Sequence, residues 1–327
     1  NLLLFARTCL KRKSYELSLR ASQYLEGTCQ SVECSIEARL ISASCFAGLE
    51  KYNDALSTYQ KLAQDFPIKE VQAQAYFQMG NIYLDNLKKK EQAILWYGKI
   101  LPLKETSFYP GSLIKLGEIY LLKDQLDSAL AHYEKSLKDP LSQPVYEELC
   151  FRLADVYFYK GDLEQSAESY QKIINDFPKG MFVNNSLERL NLIKDNLDMN
   201  RPFLKDFSRA LLLEYQENFS EAEKLFEKIA QAKVSTLSDA ALMEKSSLLR
   251  KKRDFKSSIL EYQSLNDKFP QSPYLPLALK SIGEIYMQDL MENQKAKETF
   301  ELFLKTFPNS LYVQEVREKL KALSGGA

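Results

Sequence analysis

The chain has a single histidine, His132, and a single tryptophan among its 327 residues. One imidazole cannot furnish an HExxH metal site, and nothing around it suggests a histidine-based triad. No GxxxxGK[ST] loop occurs, and no GxGxxG turn follows a strand, so the usual nucleotide cradles are missing as well. Net charge is also absent: 44 basic and 44 acidic residues cancel. That removes the electrostatic excess with which nucleic-acid binders neutralise phosphates, and no nucleic-acid partner is expected. No apolar run approaches the roughly 18 to 20 residues that cross a bilayer. Leu2-Leu3-Leu4-Phe5 is too short for the core of a signal peptide, and Ala6 already falls in a helical register. By that register the chain opens inside a helix, whose apolar edge calls for preceding residues or another cover. Glycine and proline are sparse, 11 of each, while Leu, Ala, Lys, Glu and Tyr abound, a composition suited to helices and poor for many short strands. The reading is all-α, not an enzyme, with no cofactor and no metal.

Five cysteines are present. Cys9, Cys45 and Cys150 fall near apolar columns of helical stretches, where a free thiol behaves as a small hydrophobe. Cys29 and Cys34 lie in the connection from Glu26 to Ser35, close enough to bridge in an oxidising compartment, although spacing alone does not establish the geometry. A zinc site lacks ligands, with one histidine and no paired CxxC.

What the chain does have is repetition. A small residue recurs at Ser18, Ala55, Ala93, Ala129, Ser166, Ala222, Ser258 and Ala296, at steps of 37, 38, 36, 37, 56, 36 and 38. Four residues later stands an aromatic: Tyr59, Tyr97, Tyr133, Tyr170, Phe226, Tyr262 and Phe300. The first copy alone has Ser22 there. A spacing of four puts each pair on one helical face. Twelve or thirteen positions upstream runs a second small column, Ala6, Ala43, Gly80, Gly117, Ala154, Ala210, Ser246 and Gly283. Glycine costs about 1 kcal/mol inside a helix, so its use at Gly80, Gly117 and Gly283 predicts close helix approach. Phe66-Pro67, Phe177-Pro178, Phe269-Pro270 and Phe307-Pro308 each place proline twelve residues after the small column. Proline has no amide proton and drives its predecessor out of the helical region, so the second helix ends there.

These columns resemble the tetratricopeptide repeat family, whose helix pairs carry a small residue and tyrosine in the first helix, alanine and an aromatic in the second, and a closing proline. The resemblance covers nearly the whole chain, with a period of 36 to 38 where the family's is typically 34. It implies a superhelical solenoid of about eight helix-turn-helix repeats. The Asp-Phe-Pro ending, with Asn309-Ser310 or Gln271-Ser272 following a Phe-Pro elsewhere, is similar to tetratricopeptide proteins of the bacterial cell envelope.

One step is too long. The 56 residues from Ser166 to Ala222 exceed a normal step by one helix without a partner. Met181 to Asn196 supplies it, with Leu187, Leu190, Ile193 and Leu197 as its apolar stripe. Expected domains are therefore an N-terminal array over 1–180, an extra helix and linker over 181–202, and a C-terminal array over 203–327. Leu311 to Leu323 reads as an amphipathic capping helix, with Ser324-Gly325-Gly326-Ala327 as a flexible tail.

In the family the first helices line a concave surface. The stripe that would face it reads Phe77, Asn81 and Asp85, then Ile114, Glu118 and Leu122, then Phe151, Asp155 and Tyr159. Apolar and aromatic groups beside hydrogen-bond acceptors could hold an extended peptide or a partner helix. The same aromatics would serve equally as core for the next repeat. In the later array Phe207, Leu211 and Tyr215 are apolar throughout, inviting either the extra helix or a partner's helix. Basic runs Lys11-Arg12-Lys13, Lys88-Lys89-Lys90 and Arg250-Lys251-Lys252-Arg253 fall near turns. An anionic membrane surface or acidic partner could use such an edge, but Glu50, Asp124 and Asp162 interrupt it.

The expected function is a non-catalytic protein-protein interaction scaffold, a subunit or assembly factor of a bacterial envelope complex located in the periplasm or cell envelope. The alternatives are a cytoplasmic peptide-binding adaptor or receptor, and the helical region of a larger enzyme. Partner identity and oligomeric state are not readable.

Overall fold

A computed structural model describes residues 2–232 and 235–324. Gly325 to Ala327, expected as a flexible tail, lie outside the described residues, as does Asn1. Among the described residues there are α-helices and two short π-helical turns, with no strand. In chain order the helices are α1 (Leu2–Lys11), α2 (Tyr15–Thr28), α3 (Val32–Gly48), α4 (Tyr52–Asp65), α5 (Lys69–Asn81), α6 (Lys90–Gly98), α7 (Tyr109–Leu122), α8 (Leu126–Ser136), α9 (Gln143–Lys160), α10 (Leu163–Asp176), α11 (Val183–Asn196), α12 (Arg201–Tyr215), α13 (Phe219–Gln231), α14 (Ser235–Lys251), α15 (Phe255–Lys268), α16 (Leu275–Glu284), α17 (Asn293–Thr306) and α18 (Val313–Ser324). The fold is an all-α solenoid of helix pairs. Two compact units divide within α9, Asn1–Leu149 and Cys150–Ala327.

In the first unit each helix from α1 to α8 packs on its sequence neighbour, and α1 also reaches α3. In the second, neighbours again pack in order from α10 to α18, and α11 additionally touches α14. α11 has no second helix of its own, since α12 begins the next pair. Its Leu190 and Ile193 join Leu204, Phe207 and Leu211 of α12 in one apolar cluster.

The turn inside each pair has one backbone signature. Lys13, Glu50, Lys88, Asp124, Gly161, Glu217, Arg253 and Met291 all adopt positive φ, between 54° and 77°. Each lies five residues before the small residue of the second helix, so all eight pairs share one turn. Seven of these residues carry a side chain in a region that costs an L-residue about 1–2 kcal/mol. Only Gly161 meets the turn without that penalty.

The variable period has a physical cause. Twelve residues separate the two small columns in most pairs, but thirteen separate Gly80 from Ala93 and Gly283 from Ala296. In those two pairs the first helix runs on into a π-helical turn, Ile82–Asn86 and Ile285–Asp289. The extra residue is taken up by wider bonds, Leu87 N–H to the Ile82 carbonyl and Leu290 N–H to the Ile285 carbonyl, both at 3.0 Å. A π-bulge is the expected way to insert one residue without breaking a helix.

The two small columns touch. Where the second-helix residue is serine, its hydroxyl donates to the carbonyl of the small residue in the first helix: Ser18 to Ala6 at 2.8 Å, Ser166 to Ala154 at 3.0 Å, Ser258 to Ser246 at 2.7 Å. The hydroxyl is thus satisfied where alanine would have nothing to satisfy. The aromatics of the next column are core: Tyr97, Tyr133, Tyr170, Phe226 and Phe300 are fully buried. Each such ring contributes about 1.5–3 kcal/mol by leaving water. In the first pair Ser22 instead shares a hydrogen bond with Ser42 of α3 at 2.8 Å. Phe66, Phe177, Phe269 and Phe307 stand at the carboxyl ends of α4, α10, α15 and α17, each just before its proline. α18 lays Val316, Leu320 and Leu323 against the Phe300 and Phe303 cluster of α17. Cys29 and Cys34 are bonded across the α2–α3 connection, with Cα atoms 5.8 Å apart, while Cys9, Cys45 and Cys150 are free thiols.

Candidate functional site

The residue following the small residue of the first helix is half-buried in six pairs, as Ser44, Asn81, Glu118, Asp155, Ser247 and Glu284, and in several of these it is hydrogen-bonded within its own pair. Tyr59 and Ser44 pair at 3.0 Å, Tyr97 donates to Asn81 Oδ1 at 2.7 Å, and Tyr170 donates to Asp155 Oδ1. Where the ring is Phe226 and has no hydroxyl, the matching residue is the apolar Leu211. Asn81 and Asp155 each keep only part of their acceptor capacity for an outside ligand.

In the first unit, Phe77 meets Tyr97 edge-on at 5.4 Å and Phe108 at 5.5 Å. Asn81 also donates to Gln78 at 3.3 Å. Asp85, in the first π turn, is exposed. Ile114, Glu118 and Leu122 are half-buried along α7, and Lys115 pairs with Glu118 at 2.9 Å.

In the second unit, Phe151 stacks on Phe182 at 4.8 Å and tilts against Tyr170 at 5.8 Å. Asp155 and Tyr159 follow it on α9, both half-buried. Beside them lie charges that the sequence reading did not single out. Arg189 of α11 sets its guanidinium 5.4 Å from the centroid of Phe158, within the electrostatic reach of Asp155, Tyr159, Tyr170 and Glu244 of α14. Burial pushes the Asp155 carboxyl above its usual range, against the opposing pull of Arg189, the Tyr170 hydroxyl and Arg152. Burial also pushes Glu244 up, with Arg189 and Lys251 pulling it down and Glu214 adding to the rise. For Arg189 burial acts to lower the pKa, but the surrounding phenols and carboxylates outweigh it and hold the guanidinium charged. Tyr274 is pushed up to about 12, chiefly by burial. One guanidinium thus lies within electrostatic reach of two carboxylates that burial penalises and of three phenols, Tyr159, Tyr170 and Tyr274. Arg189 was legible only as a charge breaking the stripe of Leu187, Leu190 and Ile193; Glu244 had no comparable signal.

The later apolar stripe goes elsewhere. Phe207 and Leu211 are buried, with Phe207 edge-on to Phe226 at 5.7 Å. α11 and α12 consume that face themselves, leaving Tyr215 as its exposed member. Members of two of the three basic runs are engaged inside the fold: Lys90 on the Leu122 carbonyl at 2.6 Å, Arg250 on Asp289 at 2.7 Å, Lys251 on Glu214 at 2.8 Å and Lys252 on Glu223 at 2.6 Å.

A family model of the tetratricopeptide repeat matches residues 37–67 and 151–180, and a second tetratricopeptide repeat model matches 73–106 and 110–138. The chain is a tetratricopeptide repeat protein. Similar solved structures include a tetratricopeptide repeat protein from Parabacteroides merdae ATCC 43184, 12% identical with TM-score 0.45 over 85% of this chain and 96% of that one. The C-terminal part of a TPR repeat-containing protein from Cytophaga hutchinsonii is 15% identical, with TM-score 0.44 over 85% and 99%. The TPR domain of P58(IPK) is 15% identical, with TM-score 0.30 over 99% and 97%. No curated protein matches the chain. Tetratricopeptide repeats generally mediate protein-protein interaction. Among the described residues no helix is long and apolar enough to cross a membrane, and no group of His, Cys, Asp and Glu could hold a metal ion.

Proposed function

We propose that this tetratricopeptide repeat protein is a non-catalytic scaffold that takes a peptide or helix of a partner protein along its first helices. The observation that carries the reading is the Asp155, Arg189 and Glu244 group, flanked by Tyr159, Tyr215 and Tyr274. A guanidinium within electrostatic reach of two carboxylates, in the company of phenols, offers donors, acceptors and stacking surface to a polar backbone. In the first unit, taken by itself, Asp85, Glu118 and Leu122 would offer a second binding stripe, with Phe77 packed on Phe108 beside it, as Phe151 packs on Phe182 in the second unit. The tetratricopeptide period with Asp-Phe-Pro endings supports a place in a bacterial envelope complex, as subunit or assembly factor. The Cys29–Cys34 bond agrees with an oxidising compartment such as the periplasm.

The test is affinity capture from native extract with wild type and with Glu244→Lys, Tyr215→Ala, a variant first shown to keep its helicity and melting midpoint. Loss of a specific partner is the expected result. Retention of every partner by the folded variant would move the binding surface away from this face.

A further inference from the structure

The joint between a second helix and the following first helix is built from two residues five apart. Phe66 and Val71 pack on one apolar cluster, Phe269 and Tyr274 on another, and Phe307 and Tyr312 on a third. The leading residue of each pair stands eleven positions after the small column. Each also closes its helix by donating its N–H to the carbonyl four back: Phe66 to Leu62 at 3.1 Å, Phe269 to Leu265 and Phe307 to Phe303 at 2.8 Å.

Cys29 occupies the same place. It lies eleven residues after Ser18, donates its N–H to the Leu25 carbonyl at 2.8 Å, and is bonded to a residue five further on, Cys34. Gln30 stands where the other joints have proline. The first helix pair is also thinly anchored by packing. Its ring position holds Ser22, its cluster has four buried members, Ala6, Ala21, Ile41 and Cys45, and Leu4, Leu17 and Tyr24 remain 60%, 53% and 66% exposed. The pair that lacks the buried ring, the phenylalanine and the proline is the one joined covalently.

We propose that the Cys29–Cys34 bond is a redox clip that replaces the aromatic joint and holds α1 and α2 against α3. A dithiol reductant opens it by attack of a thiolate on one sulfur and closure of the reductant's own disulfide. Two electrons and two protons pass to Cys29 and Cys34, which end as thiols. With the clip open, α2 loses its only substitute for a helix stop and the first pair frays, while α4 to α8 keep their Phe, Tyr and Pro anchors.

Hydrogen exchange on the full chain, with and without dithiothreitol, tests this. Reduction should speed amide exchange in α1 and α2 by about tenfold or more and leave α4 to α8 unchanged, as expected of a local opening. Cys29→Ser, Cys34→Ser should exchange at the reduced rate under both conditions. Cys29→Phe, Cys34→Val, which copies Phe66 and Val71, should exchange at the oxidised rate under both. Exchange in α1 and α2 that ignores reduction and the double serine variant would overturn the proposal. So would alkylation of both thiols in protein kept oxidised.

Discussion

The ring of Tyr133 occupies the space where a side chain on Gly117 would begin: a Cβ built there lies 2.1 Å from Tyr133 Cζ. The same relation links Gly80 to Tyr97 at 2.6 Å and Gly283 to Phe300 at 2.4 Å. In these pairs the small column of the first helix is a socket for the aromatic of the second. Gly117→Ala should therefore cost about 1–3 kcal/mol through overpacking, while Gly98→Ala, where no atom lies within 4 Å of the new Cβ, should cost nothing or stabilise slightly. Gly117→Ala combined with Tyr133→Leu should recover part of the loss. Urea denaturation midpoints of the four proteins decide it, and equal losses at Gly117 and Gly98 would refute the socket.

Much of the architecture was legible because a solenoid writes its geometry repeatedly. A single small residue followed four positions later by an aromatic says little, but seven in register define helix pairs, and thirteen residues in place of twelve marked the two pairs that now prove to carry π turns. The site was less legible. Spacing placed Asn81 and Asp155 on the right stripe, but the phenols of Tyr97 and Tyr170 that engage them come from another helix. Arg189 and Glu244 are 55 residues apart in sequence and come within electrostatic reach of each other because α11 touches α14.

The shared turn makes its own prediction. Met291 holds φ at 56° and Gly161 at 77°. Met291→Gly should stabilise by about 0.5–1 kcal/mol, the relief of the left-handed conformation less glycine's entropy cost. Gly161→Ala should destabilise by about 1 kcal/mol at the matching turn. Thermal midpoints moving in opposite directions are the expected result. Two shifts of the same sign would show that neighbouring contacts, not backbone conformation, set these turns.

Asp155 predicts a pH dependence. Burial holds its folded-state pKa above the ordinary value of 3.8, so the native state keeps its proton to higher pH than the unfolded chain does. Stability from this group is present below the ordinary value and is lost as pH rises through the raised one. Asp155→Asn keeps an acceptor for the Tyr170 hydroxyl and removes the penalised charge. The variant should melt higher than wild type near pH 7, and the gap should close as the pH falls toward about 4. A variant that melts lower near neutrality would show that pairing with Arg189 outweighs burial.

Lys245 of α14 ties three helices together. It is 8% exposed, and its ammonium pairs with Glu227 of α13 and with Glu261 of α15. Burial would lower its pKa, but the two carboxylates more than offset that and keep it charged, while Lys245 draws the Glu227 pKa down. Lys245→Met would leave two neighbouring carboxylates without their common partner. Their side chains are 39% and 23% exposed, so water moderates the loss to about 1–3 kcal/mol. Adding Glu227→Gln and Glu261→Gln should restore most of it, because no unpaired charge then remains. The acid limb gives an independent check. A depressed Glu227 contributes stability above its ordinary pKa of 4.5 that is lost as pH falls through the folded value, and this contribution should vanish in Lys245→Met. If the single and triple variants lose equal stability, packing of the lysine stem, not its charge, holds α13, α14 and α15 together.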